Sequence, residues 1–194
     1  MSSMENKQQR WDSLTQTILS LGADRAAVIS TSEVATDPIF RSLCEANSCG
    51  MYGRCWMCPP YVGEIGELMA QVGTYDYVLV YQQVSPLEDS FDVEGMQEAR
   101  ERLNRLVREL RKQEKSFPFS KSLLLGAGAC GICPTCAKRQ EKPCRFPELA
   151  MPSLEAYGIN VSLLAKSAGM KYINGQNTVT YFGAVLFSID GEQT

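Results

Sequence analysis

The sequence predicts an α+β fold, with α/β as the alternative: a mixed central β-sheet covered by helices, and two cysteine-rich loops together at one end. Three observations lead there. Amphipathic stripes alternate with short β-rich runs, the crossovers between them are irregular, and each cysteine group follows directly on a predicted element. No repeat, linker or low-complexity tract divides the chain, so residues 1–194 are read as a single domain.

The elements follow in order. Residues 5–21 place Trp11, Leu14, Ile18 and Leu21 on one helical face, and Gly22 stops that helix. Ala26 to Ile29 is a short apolar strand. Asp37 stands as an N-cap before Pro38 at a first helical position, and Phe40, Leu43 and Cys44 share a face of the short helix that follows. Ile65, Leu68, Met69 and Val72 mark a helix ending at Gly73, and YVLVYQQV from Tyr77 to Val84 is a strand. The clearest helix covers 95–114, where Ala99, Leu103, Leu106, Val107 and Leu110 form one stripe and Glu98/Arg102 and Glu101/Arg105 are surface pairs. Pro118 closes it. Ser122 to Leu125 is a short buried strand that runs through Gly126 and Gly128 into the second cysteine group. Asn160 caps a helix bearing Val161, Leu164, Ala165 and Ala168, with Gly169 as terminator. NGQN then reads as a hairpin turn before a long strand from Thr178 to Ile189.

Composition narrows the function. The chain has 194 residues, 44% hydrophobic and 21% charged, with a net charge of -3, so no global positive field draws it to nucleic acid or anionic lipid. The segment MSSMENKQQRWDS holds no apolar h-region, and no window approaches the ~18 apolar residues of a membrane span. The expectation is a cytoplasmic protein without nucleic-acid or membrane partners; its oligomeric state is left open. Eight cysteines and no histidine are more telling. In a reducing compartment clustered thiols point to metal or redox chemistry, and without imidazole the commonest zinc ligand, general base and partner of a nucleophilic cysteine are all missing.

The cysteines sort into two quartets. Cys44, Cys49, Cys55 and Cys58 follow C-x4-C-x5-C-x2-C-P; Cys130, Cys133, Cys136 and Cys144 follow C-x2-C-x2-C-x7-C. A cubane iron–sulfur cluster needs four thiolates on a tetrahedron wider than one ion's coordination shell. A looped C-x2-C-x2-C turn aims three sulfurs at three irons, and a remote cysteine closes the cage. Zinc more often takes two C-x2-C knuckles separated by a longer stretch. All eight cysteines are therefore candidate ligands of two [4Fe-4S] clusters, with zinc as the alternative. A different division stays open, in which Cys144 serves the first group and Cys44 or Cys49 the second.

The neighbouring residues fit that reading. Gly50, Gly53, Gly126, Gly128 and Gly131 would let backbone approach an inorganic core. Prolines beside Cys58, Cys133 and Cys144 stiffen the loops, and Trp56, Met57, Tyr61 and Ile132 can exclude water. Arg54, Lys138, Arg139, Lys142 and Arg145 flank the sites, either offsetting cluster charge or forming a docking face for an acidic redox partner; Arg145, directly after a ligand, is the strongest candidate and the others read as solvated loop residues.

The order C-x2-YG-x-C-x2-CPP, then CGICPTC…KPCRFPE, then SLEAYGINV resembles an uncharacterised prokaryotic family of predicted metal-binding proteins, a domain of unknown function, over about residues 40–187. The resemblance implies that the cysteines are metal ligands and supplies no substrate or reaction. Three functions compete: an electron-transfer or redox accessory protein that relays electrons to a partner, an iron–sulfur enzyme acting on a small substrate, and a zinc-stabilised interaction module. For the enzyme, Glu155, Tyr157, Asn174, Gln176 and Asn177 are the candidate polar groups, although a helix surface, a packed aromatic and a turn explain them as well. No Walker loop, dinucleotide fingerprint or C-x3-C-x2-C run is present.

Overall fold

In the computed structural model, which describes residues 3–190 and side chains from Lys7 onward, the long apolar run becomes the ten-residue strand Tyr77–Pro86. In chain order the elements are α1 (Ser3–Ser20), β1 (Arg25–Ser30), α2 (Ile39–Glu45), α3 (Ile65–Val72), β2 (Tyr77–Pro86), α4 (Val93–Gln113), β3 (Lys121–Leu125), α5 (Val161–Ser167) and β4 (Thr178–Ser188). The fold is α+β. Its sheet has the order β1-β2-β4-β3.

Every pair in that sheet is antiparallel, in place of the mixed sheet expected from sequence. The reason lies in β4. Strands β2 and β3 run the same way with α4 crossing between them, as an α/β unit would, but β4 inserts between the two and pairs with both. No parallel neighbours remain.

Successive residues of β2 point to opposite faces, and each face meets helices. Tyr77, Leu79 and Tyr81 join a core with Leu14 and Ile18 of α1 and Leu103, Leu106 and Leu110 of α4. Val78 and Val80 face the other core, with Leu68 and Val72 of α3 and Leu164 and Ala165 of α5. A strand covered on both sides needs no polar face, which is why YVLV shows no alternation. Gly183 sits opposite Tyr81 in the β2–β4 register, and a Cβ there would meet the tyrosine ring, so the glycine makes room for that ring.

Helix ends obey capping chemistry. The Gly95 N–H donates to Asp92 Oδ1 at 2.8 Å and opens α4; the Leu163 N–H donates to Asn160 Oδ1 at 3.1 Å and opens α5. Asp37 accepts from the Ile39 N–H at 2.8 Å, as its position before Pro38 suggests. Two expectations need correction. Neither expected surface pair of α4 forms: Arg102 reaches Asp24 at 3.4 Å and the Gly22 carbonyl at 3.1 Å instead of Glu98, because the loop after α1 offers both acceptors, and Glu101 accepts from Gln97 while Arg105 has no carboxylate within ion-pair distance among the described residues. The NGQN segment turns, with Asn177 at φ 51°, but it joins α5 to β4 and so closes no hairpin. Among the described residues no helix is long and apolar enough to cross a membrane.

Candidate metal centre

The first cysteine loop is a chain of turns closed upon itself. Cys44 lies in the last turn of α2, and Asn47 then enters the left-handed region at φ 55° and accepts from the Tyr52 N–H at 3.0 Å. The Gly53 N–H donates to the Pro59 carbonyl at 2.9 Å, the Cys58 N–H to the Cys55 carbonyl at 3.1 Å, and the Val62 N–H to the Cys58 carbonyl at 3.2 Å. Arg41 ties the loop's end back to α2 through the Gly63 carbonyl, 2.7 Å away.

The second loop leaves β3. Gly126 donates to the Pro152 carbonyl at 2.9 Å, Arg100 of α4 donates to the Ala129 carbonyl at 2.6 Å, and a short 3-10 turn covers Ala137–Gln140. Arg145 donates to the Thr135 carbonyl at 2.9 Å, drawing the Cys144 end against the C-x2-C-x2-C turn. That is a structural role for a residue expected to offset charge.

The two loops touch. Trp56 Nε1 donates to the Lys142 carbonyl at 2.9 Å. Lys138 is only 5% exposed: its ammonium lies 4.0 Å from the Tyr61 ring centroid and 4.8 Å from that of Trp56, and it pairs with Glu141. Cation–π contact and the ion pair together stabilise this cation, and Glu141 first of all pushes its pKa up. Lys138 was expected to be a solvated loop residue. It is instead the clasp between the loops.

All eight cysteines are free thiols. Cys55, 1% exposed, lines one small cavity of about 20 Å³ with Cys130, Cys133, Cys136 and Cys144. Cys55 thus stands between the quartets. The Cys58 thiol donates to its sulfur, against the cost of burial, and the N–H groups of Met57 and Cys130 and the Cys136 thiol add to it; together they bring its pKa down to about 6. The hydrogen bond to Cys55, and then burial, push Cys58 up in turn. Burial raises Cys44, with Cys49 and Glu155 adding negative charge and Arg41 opposing it; burial also raises Cys130. Among the described residues no three Cys, Asp or Glu side chains converge so as to hold a single metal ion.

The glycines of the loops have reasons inside the protein. Gly50, Gly53 and Gly128 sit at positive φ, and a Cβ on Gly126 or Gly131 would strike Met151 or Asn104. Of the other candidates, Tyr157 packs in the α3–α5 core and burial raises its pKa, while Glu155 lies close enough to Cys44 to act on its charge. Asn174 bonds Lys171 and Thr180, Asn177 bonds the Glu88 carbonyl, and Gln176 is exposed; these three hold or decorate the turn. Sequence reasoning missed the outer flank of α4, where Arg100, Arg105 and Arg108 face the second loop across a cleft. Their spacing along the helix was the available signal.

Residues 27–187 match a family model described as predicted metal-binding protein (DUF2284). No curated protein and no solved structure matches the chain.

Proposed function

The chain belongs to the DUF2284 family of predicted metal-binding proteins, and we propose that its eight cysteines hold two [4Fe-4S] clusters serving electron transfer or a redox accessory role in the cytoplasm. One observation carries this reading: eight free thiols and no imidazole, in two quartets whose loops touch and share the buried Cys55. The donor set suits iron–sulfur chemistry because thiolate is the ordinary ligand of such clusters and the second quartet has their spacing. A cavity of about 20 Å³ takes roughly one water-sized sphere, so a cluster held by the second loop would need its sulfurs to stand further apart. Cys130, Cys133, Cys136 and Cys144 would hold one cluster and Cys44, Cys49, Cys55 and Cys58 the other. A cluster bound there supplies one-electron redox chemistry. Trp56, Tyr61 and Lys138 would hold the two loops together around such a group, since the Lys138 ammonium lies over both rings.

A second reading, an iron–sulfur enzyme, is favoured by the cleft beside the second loop. The test of cluster binding is anaerobic purification followed by visible spectroscopy. A broad brown charge-transfer band that bleaches with dithionite is expected; a colourless protein carrying zinc would point to the interaction module instead.

A further inference from the structure

Helix α4 turns its apolar stripe to the sheet, and the flank that remains forms one wall of a cleft of about 810 Å³. The opposite wall is the loop from Cys130 to Cys136, held close because Gly131 leaves no side chain to meet Asn104. Arg100, Arg105, Arg108 and Arg139 line this space, with Glu101 as the one acidic residue among its lining. In a chain of net charge -3 that is a local reversal of sign.

These guanidinium groups lack carboxylate partners. Among the described residues no acidic side chain lies within ion-pair distance of Arg100, Arg105, Arg108 or Arg139. Arg105 and Arg108 are exposed, Arg139 meets only the Met51 sulfur at 3.7 Å, and Arg100 keeps a buried Nε with no acceptor while its Nη2 holds the Ala129 carbonyl. Four like charges around one concavity repel each other, and an anion in the cleft relieves that repulsion. The planar fork of arginine matches carboxylate and phosphate oxygens two at a time.

We propose that this cleft binds a small molecule bearing carboxylate or phosphate groups, seated against the Cys130–Cys136 loop. Its volume lies within the roughly 300–1,000 Å³ of small-ligand sites, and a concavity of that size suits a compact anion better than the broad face of an acidic protein. The assignment goes beyond cluster binding and stands on the arginines, whichever metal the thiols hold. Its consequence is that the ligand lies beside Cys133 and Cys136, which line the same cleft.

Calorimetric titration of the anaerobically purified, metal-loaded chain with succinate and with glycerol phosphate tests this and separates the two oxyanions. Saturable one-to-one binding of at least one probe is expected, weakened about tenfold for each guanidinium removed in Arg105→Gln and Arg108→Gln. Both positions are exposed, so the circular dichroism of the double variant should match the parent, and metal counted in the same samples keeps a lost cluster distinct from a lost ligand site. Absence of binding by either probe at millimolar concentration overturns the inference, as does binding that the double variant retains in full. Binding of polyglutamate alone would show a docking face for acidic protein, and would overturn it too.

Discussion

Phe187 and Cys55 are both sealed from solvent, at 0% and 1% exposure, yet their surroundings have nothing in common. Phe187 stacks among Phe119, Tyr77 and Trp11 with ring centroids 4.4, 5.6 and 5.6 Å away, and burial of apolar surface explains its position fully. Cys55 lines a small cavity with four other cysteines, and its sulfur accepts from the Cys58 and Cys136 thiols and the Met57 and Cys130 N–H groups. Packing does not call for that arrangement. Where the core is complete with protein atoms alone, the cysteine end gathers thiols from two loops around a small cavity, and the proposed metal binding is what would use them.

The two regions should separate under mutation. The largest effect belongs to the thiols: Cys133→Ser should remove one cluster's worth of iron, about four atoms of eight, while far-UV circular dichroism still reports the sheet. Unchanged iron would show that Cys133 is not a ligand. Next comes Phe187→Ala, expected to cost about 3–5 kcal/mol in urea unfolding with iron per folded chain unaltered. A proportionate loss of iron would break the comparison, because the core and the cysteine loops would then be one cooperative unit.

Smaller effects sharpen the boundary. Asn160→Ala removes the cap of α5 and should cost about 1 kcal/mol, read from the same unfolding curves. The smallest effect concerns pH. The Gly95 N–H and then the Glu88 N–H hold the Asp92 carboxyl below the ordinary carboxylate range. Its contribution is therefore present above the unfolded aspartate pKa of about 3.9 and disappears as pH falls through the lower, folded value. The protection of the Gly95 amide, relative to its intrinsic exchange rate, should fall over that acid interval and stay constant at neutral pH; in Asp92→Asn the acid step should vanish.

Much of the scaffold was legible because local rules governed it. The spacing of Leu103, Leu106, Val107 and Leu110 fixes the buried face of α4, and Asn160 and Asp37 cap where their side chains predict. What local rules could not carry was pairing between distant segments. Nothing near Thr178 tells that β4 inserts between β2 and β3, so the parallel neighbours implied by a strand–helix–strand run do not arise. The site divides in the same way. Counting thiols marks out two quartets in the sequence, but the place of Cys55 beside Cys136 and the burial of Lys138 over Trp56 and Tyr61 depend on distant loops meeting in space, and the arginine cleft on α4 facing the loop that follows β3. Arg102 shows the limit at the scale of one side chain: helical spacing offered Glu98, and the tertiary fold supplied Asp24.

The central claim is that the thiols enclose polynuclear iron–sulfur groups. Its most direct measurement is the content of iron, acid-labile sulfide and zinc in chain purified without oxygen. About eight irons and eight sulfides per chain are the expected result; stoichiometric zinc with no sulfide would contradict it.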